Sequence, residues 1–206
     1  MNSIRILIAD DHTIVRIGLT ALLGAEKDFE VVGEAKNGLE AVKSAKALHP
    51  DVIVMDLVMP KKNGIDATTE ILEVLPTAKV LVLTSFGTSD GIARALQVGA
   101  AGAIMKTADD GALVTAIRKV MRGERVVSPE IRRMLDEDPP VPELSARQKE
   151  ILVAITAGRS NKEIATSLGI RKDSVEDYLR TLFSKLGAAN RTEAVAIALR
   201  KHLLKI

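Results

Sequence analysis

Cysteine and tryptophan are absent from this 206-residue sequence, which has only one tyrosine and three phenylalanines. Without cysteine the chain can form neither disulfides nor thiolate metal sites, which fits a reducing cytoplasm. The scarcity of aromatic rings argues against nucleic-acid binding by stacking bases on aromatic side chains. No apolar run is long enough to cross a bilayer, and no N-terminal stretch has the pattern of a signal peptide. We therefore expect a soluble cytoplasmic protein without a membrane partner.

The net charge of +2 conceals an uneven distribution. Residues 1–122 hold 14 basic and 15 acidic side chains, residues 123–142 hold 3 and 5, and residues 143–206 hold 12 and 7. An excess of positive charge at one end is expected of a segment that binds a polyanion, although a well-solvated helical surface would also explain it. At this length the chain can form two domains of ordinary size.

Two apolar stretches of the N-terminal half end in carboxylates. Val52–Met55 runs into Asp56 and a loop with proline and glycine, and Ile4–Ala9 runs into Asp10 and Asp11. Such runs indicate buried parallel strands, whose carboxyl ends form the ligand-binding edge of an open α/β sheet. A single acid there is commonly a helix cap, but three acids on two neighbouring strands would converge on one crevice. Carboxylates so close together repel one another unless a cation lies between them. Because all the ligand atoms would be oxygens, Mg²⁺ is the expected ion.

Two later strands bring other polar groups to the same edge. Residues 80–83 are followed by Thr84, and residues 103–105 by Lys106. A carboxylate nucleophile, a divalent cation, a hydroxyl and an ammonium are what phosphoryl transfer to an aspartate requires, because they bind the phosphoryl oxygens and neutralise their charge. A Mg²⁺-dependent phosphohydrolase would share this cluster, but nothing in the helical C-terminal half supplies a substrate domain.

Strand and helix patterns alternate along the first 122 residues. Each of five strand-like runs is followed by a helical pattern. The last four helical patterns cover residues 38–48, 64–75, about 89–97 and about 109–121. This alternation predicts an α/β domain with a flavodoxin-like, doubly wound, five-stranded parallel sheet in the strand order 2-1-3-4-5. We assign residues 1–122 to it.

An acidic, proline-rich stretch at 136–142 predicts an extended linker, which we place at 123–142. Ser128 followed by Pro129 is typical of a helix start, so this linker is expected to contain a short helix through Leu135.

Residues 143–206 show helical patterns only. Ser145 and Gln148 fit a capping box, Gly169 ends a second helix, and Gly187 ends a third. The tight turn after the second helix predicts a small all-α helix-turn-helix domain of four helices, whose third helix would lie in a DNA major groove. Periodicity alone does not distinguish this fold from another small helical bundle.

Both halves resemble known families. The first half resembles the receiver domain of two-component response regulators. Seven residues match the pattern of that domain in their order and positions: Asp10, Asp11, Asp56, Pro60, Gly64, Thr84 and Lys106. The sequences at 144–152, 158–165, 182–187 and 190–194 resemble the LuxR-type DNA-binding domain. The whole chain is thus similar to response regulators of the NarL/FixJ type.

The resemblance implies a role for each receiver residue. Asp56 would be the phosphoacceptor, Thr84 would contact the phosphoryl group, and Lys106 would pair with its oxygens. The Mg²⁺ ligands would be Asp10, Asp11, Asp56 and the carbonyl of Val58. The donor would be a sensor histidine kinase, and the chain would not be a conventional enzyme, since it would only take up and slowly hydrolyse its own phosphoryl group. Apolar Val58 and Phe86 near the site predict a long-lived phosphoaspartate.

Two departures from the family pattern affect function. Receivers commonly carry an aromatic switch residue three positions before the lysine, where this chain has Ala103, and whether Phe86 replaces it is left open. The third C-terminal helix usually has basic residues that read DNA, whereas its exposed face is expected here to carry three acids and one base. The candidate DNA contacts are Arg171, Lys172, Glu176, Asp177, Arg180, Lys185 and Arg191. The alternative is a phosphorylation-dependent regulator that acts through protein contacts, with weak or no DNA binding.

The last helix predicts assembly. Val195, Leu199 and Leu203 fall on one helical face, which leaves apolar surface beyond what the domain core needs. Similar regulators dimerise through this helix, so we expect a homodimer, favoured by phosphorylation, on paired half-sites of double-stranded DNA.

Overall fold

The computed structural model describes residues 3–85, 88–201 and 203–204. By its internal contacts the chain divides into two units, Met1–Pro139 and Pro140–Ile206. Residues 123–139, which composition predicted to be linker, therefore belong with the first unit. No helix among the described residues is both long and apolar enough to cross a membrane.

The first unit alternates strands and helices. The strands are β1 Ile4–Ala9, β2 Phe29–Ala35, β3 Val52–Met55, β4 Lys79–Thr84, β5 Gly102–Met105 and β6 Val126–Val127. The helices are α1 Thr13–Gly24, α2 Gly38–Leu48, α3 Gly64–Val74, α4 Ser89–Gln97, α5 Asp110–Met121 and α6 Pro129–Glu137.

The strands form one parallel sheet in the order β2-β1-β3-β4-β5-β6. The order of the first five strands is the predicted one, but the expectation of five strands in all is wrong, because β6 extends the sheet beyond β5. A two-residue strand is too short to show periodicity, so β6 was not predicted from the pattern of apolar residues. The predicted linker helix is present as α6 and ends two residues later than expected.

Side chains of successive strand residues point to opposite faces, and both faces are covered. Ile6 and Ile8 pack with the apolar side of α5 and with Leu23 of α1. Leu7 and Ala9 pack against α2 and α3 on the other face. This double cover buries the strands, so the polar groups that follow them are held on a rigid edge.

One glycine shapes the loop after β3. A Cβ at Gly64 would collide with the carbonyl oxygen of Asp56, and the Gly64 amide donates to the carbonyl of Leu57. The start of α3 is thus folded directly against the end of β3, which any larger residue at position 64 would prevent.

The second unit contains helices alone among its described residues. They are α7 Ala146–Thr156, α8 Asn161–Leu168, α9 Lys172–Leu186 and α10 Arg191–Arg200. Ser145 with Gln148 and Ser160 with Glu163 form complete capping boxes, while Gly169 and Gly187 end α8 and α9 in the left-handed conformation. The predicted four-helix domain is confirmed.

Candidate functional site

Three carboxylates meet at the carboxyl edge of the sheet because β1 and β3 are direct neighbours. Ala9 pairs with Met55, so Asp10 and Asp56 follow side by side, and the Asp56 amide donates to the Ala9 carbonyl. Asp10, Asp11, Asp56 and His12 each present a ligand atom, and these atoms all lie within 4.8 Å of one another. The expected acidic crevice is therefore present.

Lys106 joins two of these acids. Its Nζ atom lies 2.5 Å from Asp10 Oδ2 and 2.7 Å from Asp56 Oδ2. The position is set by the backbone, because the Lys106 amide donates to the Thr84 carbonyl where β4 and β5 end. All three side chains are at most a tenth exposed, so the ammonium neutralises carboxylates that water screens poorly.

The pKa shifts follow from this geometry. Burial raises the pKa of the Asp56 carboxyl, and the neighbouring Asp10 charge adds to the shift although Lys106 opposes it. Burial disfavours the Lys106 ammonium, but hydrogen bonds to Asp10 and Asp56 outweigh it and the pKa of Lys106 is raised. Lys106 is thus held as a cation beside the carboxylates.

Two buried side-chain oxygens among the described residues lack a hydrogen-bond partner: Asp11 Oδ1 and Thr84 Oγ1. His12 Nδ1 lies 2.7 Å from the Asp11 oxygen without forming a hydrogen bond to it. Buried polar atoms are nearly always paired, so the Thr84 hydroxyl marks a group arranged for something other than the protein itself, whereas Asp11 Oδ1 lies within ion-pair distance of His12. With an all-oxygen set of carboxylates, this arrangement fits a hard divalent ion such as Mg²⁺.

The remaining receiver residues are placed less directly. The Val58 amide lies 3.4 Å from Asp56 Oδ1, and its side chain is exposed. The structure thus shows a contact of the Val58 amide, whereas the role expected for its carbonyl stays a prediction. Ala103 is fully buried, and Phe86, considered as its substitute, lies outside the described residues. His12 is the N-cap residue of α1, and its side chain forms no cap hydrogen bond.

The exposed face of α9 is the one that its sequence pattern predicted. Val175, Leu179, Leu182 and Leu186 are buried, and the opposite side leaves Asp173, Glu176, Asp177, Arg180 and Ser184 exposed. The acids at 176 and 177 are paired within the helix. Glu176 lies 3.4 Å from Lys172, and Asp177 lies 3.4 Å from Arg180.

Two of the seven candidate DNA contacts serve the fold of the domain. Lys185 Nζ donates to the Glu143 carbonyl at 2.6 Å and to Gln148 Oε1 at 3.1 Å. The Arg191 guanidinium donates to the carbonyl of Ile155 in the last turn of α7 and to that of Arg159 just past this helix. Arg171, Lys172 and Arg180 remain the exposed cations on α9 or at its start.

The residues expected at the dimer interface do not share one exposed stripe. Leu199 is 44% exposed, whereas Val195 and Leu203 pack partly against the domain core. Leu203 also lies beyond the end of α10 at Arg200. The buried residues of α10 are Ala194, Ile197 and Ala198. The two alanines carry little hydrophobic signal, so the sequence pattern did not indicate that they face the core with Ile197.

Sequence reasoning predicted the short helix of the segment 126–138 but missed β6 and the packing of the segment on the receiver. The signal that could have revealed it is the pair Val126–Val127, two strand formers placed before the Ser128 helix cap.

Comparisons with known proteins agree with both halves. Residues 6–118 match the family model described as response regulator receiver domain, and residues 142–198 match bacterial regulatory proteins of the luxR family. The response regulator protein VraR of Staphylococcus aureus is 40% identical over 208 residues, covering 98% of this chain and 100% of that protein.

Solved structures give the same result. The response regulator ChrA of a heme-sensing two-component system is 36% identical, with a TM-score of 0.59 over 99% of this chain and 100% of ChrA. RcsB in its complex with DNA is 24% identical, with a TM-score of 0.71 over 97% of this chain and 99% of RcsB, which supports the fold alone. The chain therefore belongs to the two-component response regulators of the NarL/LuxR family, transcription regulators in which a receiver domain precedes a LuxR-type DNA-binding domain.

Proposed function

We propose that this regulator accepts a phosphoryl group on Asp56 from a sensor histidine kinase and then controls transcription as a DNA-bound dimer in the cytoplasm. The observation that carries the proposal is the buried crevice in which Asp10 and Asp56 share the Lys106 ammonium, with the unpaired Thr84 hydroxyl in the adjoining strand. A structural ion pair needs no third carboxylate and no unpaired hydroxyl, whereas a phosphoryl-binding site does.

Each group has a definite task in the transfer. An Asp56 oxygen attacks the phosphorus, the bond to the donor breaks, and the donor's imidazole, or acetate from acetyl phosphate, leaves. Lys106 turns from the carboxylate to the phosphoryl oxygens, and Thr84 donates its hydroxyl hydrogen to one of them. Asp10, Asp11, Asp56 and the Val58 carbonyl would hold Mg²⁺, which when bound neutralises phosphoryl charge. Attack of water on the acyl phosphate then restores Asp56.

The test is labelling with acetyl phosphate in the presence of Mg²⁺, followed by intact mass. The wild-type chain and Asp136→Asn, a matched acid on the exposed side of α6, should each gain one phosphoryl group. Asp56→Asn should gain none, because an amide is neither an adequate nucleophile nor a full metal ligand. Labelling of Asp56→Asn at another residue would disprove the assignment of the phosphoacceptor.

DNA binding is assigned to the exposed face of α9. Arg171, Lys172 and Arg180 supply charge for phosphates, and Glu176 or Asp177 can accept a hydrogen bond from a cytosine amino group. Each of the two acids lies beside a cation of α9, so its repulsion of phosphates is offset while the cation's attraction falls by as much. Arg171 adds an exposed positive charge, which keeps DNA ahead of the alternative, a regulator that acts through protein contacts with weak or no DNA binding. If affinity for DNA of any sequence did not fall with added salt, the protein-binding alternative would be preferred.

Dimerisation is assigned to Leu199, the exposed apolar residue of α10. With beryllofluoride as the phosphoryl analogue, light scattering should show a dimer for the wild-type chain and a monomer for Leu199→Glu, because the new charge would be buried in the interface. Val153→Glu is the matched control, since Val153 is an exposed apolar residue of α7 in the same unit. A Leu199→Glu variant that dimerises and binds DNA normally would refute this interface.

A further inference from the structure

The segment 126–138 is built onto the edge of the receiver. The Val126 amide donates to the Ala101 carbonyl and the Ser128 amide to the Ala103 carbonyl, both at 3.1 Å. A Cβ at Gly102 would collide with the carbonyl oxygen of Val126, so the close approach of β6 depends on that glycine. The segment is therefore a fitted part of the sheet edge.

A second contact involves Ala103, at the position where other receivers commonly carry an aromatic switch residue. Ile131 of α6 is fully buried in one cluster with Leu57, Ile92 and Ala103. Leu57 directly follows Asp56, and Ile92 belongs to α4. One apolar cluster thus connects the neighbour of the phosphoacceptor with both helices. Because Ala103 has no ring to move, the receiver needs another path from the site to its output.

The third contact joins the ends of α4 and α6. The hydroxyl of Ser89 donates to Asp138 Oδ2 at 2.8 Å, and Ser89 is 1% exposed. Ser89 is the first residue of α4, the element that follows Thr84 and β4 in the chain. Asp138 directly precedes Pro139 and Pro140, where the second unit begins. This hydrogen bond therefore joins the start of α4, which follows Thr84 in the chain, to the residue just before the two prolines that lead into the second unit.

We propose that segment 126–138 is the output element of the receiver, docked before phosphorylation and released after it. When Thr84 moves toward the phosphoryl group, α4 moves with it, and Ser89 and Ile92 no longer fit Asp138 and Ile131. The segment then undocks and frees the connection to the DNA-binding domain. Ile131 and Asp138 are positioning residues, since neither touches the phosphoryl group. The inference rests on the proposed roles of Asp56 and Thr84.

Thermodynamic linkage allows the proposal to be tested both by the affinity for a phosphoryl analogue and by the docking of segment 126–138. If phosphoryl binding weakens docking by some factor, weaker docking must strengthen phosphoryl binding by the same factor. The probe is beryllofluoride at fixed Mg²⁺, titrated into the full chain and followed by the fluorine NMR signal of the bound species. Amide hydrogen exchange of residues 126–138 gives the second readout on the same samples.

Four variants distinguish a loss of docking of segment 126–138 from a general loss of stability. Asp138→Ala and Ile131→Ala should bind beryllofluoride at concentrations about five-fold lower than the wild-type chain. Asp138→Asn keeps an oxygen acceptor for Ser89 and should behave as wild type, as should Arg133→Ala on the exposed side of α6. Asp138→Ala removes no buried apolar atoms, so it remains informative if Ile131→Ala impairs folding. In the wild-type chain, saturating beryllofluoride should speed exchange of residues 126–138.

Unchanged exchange of this segment at saturation would overturn the inference, as would equal beryllofluoride affinity of Asp138→Ala and Arg133→Ala. Both results would leave the function of Asp56 intact, because binding itself would still be seen. Absence of a bound fluorine signal in every protein would instead overturn the phosphoryl site, and this inference with it.

Discussion

The receiver crevice and the exposed face of α9 use the same acidic and basic groups with opposite consequences. In the crevice the side chains of Asp10, Asp56 and Lys106 are 2%, 6% and 10% exposed, with charged atoms 2.5 and 2.7 Å apart. On α9 the pair Arg180 and Asp177 is 79% and 70% exposed and 3.4 Å apart. Charges interact several-fold more strongly away from water, so those in the crevice affect stability and chemistry, whereas those on α9 mainly affect association.

The largest effect is expected where a buried charge loses its partner. Lys106→Met should lower the free energy of unfolding by about 3 kcal/mol, because it leaves two carboxylates close together without a cation. Adding Mg²⁺ should restore part of the loss. Urea denaturation with and without Mg²⁺ measures both effects, and Lys172→Met on the exposed face is the control, with an expected change of less than about 0.5 kcal/mol. If both substitutions changed the free energy of unfolding equally, charges in the receiver crevice would not differ in strength from those on the exposed face of α9.

A smaller effect tests whether a cation near the DNA-binding face supports the fold. Lys185→Met should lower the free energy of unfolding by about 1–2 kcal/mol, because the Glu143 carbonyl and Gln148 lose a charged donor. The salt dependence of DNA binding should stay unchanged. Lys149→Met, at an exposed position of α7, is the matched control in denaturation and in DNA titrations. A lower salt slope with unchanged stability would instead identify Lys185 as a phosphate contact.

The smallest expected effect on stability is at Arg171, which is exposed and forms no side-chain cap of α9. Arg171→Ala should leave the free energy of unfolding within about 0.5 kcal/mol of wild type. It should weaken binding to all DNA sequences alike and reduce the slope of log affinity against log salt by about 1. Fluorescence anisotropy with labelled duplexes at several salt concentrations measures the slope, with Arg200→Ala at the exposed end of α10 as control. A change confined to one base position would show base readout by Arg171.

The parts that sequence predicted well depend on local rules. Apolar runs ending in Asp10, Asp56, Thr84 and Lys106 predicted strands whose ends share one edge, because parallel strands all point the same way. The capping box of Ser145 and Gln148 was predicted because it involves residues only three positions apart. The alternation of strands and helices predicted a parallel doubly wound sheet, and the order of β1 to β5 is the one expected of flavodoxin-like sheets.

The failures concern contacts between distant residues. An acidic stretch with prolines predicted an extended linker, yet α6 packs on the receiver through Ile131 and Asp138, across 39 or more residues from their partners Ile92 and Ser89. The charges of Lys185 and Arg191 made both residues candidate DNA contacts, whereas sequence does not show that their donors reach backbone carbonyls of the domain. Only one of the three residues predicted for dimerisation, Leu199, is largely exposed.

Sequence by itself therefore determined the family, the two folds and the residues that meet in the acidic crevice, because these follow from apolar periodicity and from residue types at strand ends. Tertiary structure alone decided that Lys185 and Arg191 donate to groups of their own domain and that Lys106 bridges Asp10 and Asp56. It also decided that segment 126–138 closes the sheet edge. The physical reason is that burial and the pairing of hydrogen-bond donors are set by neighbours far away in the chain, whose positions exist only once the sheet and helices have packed.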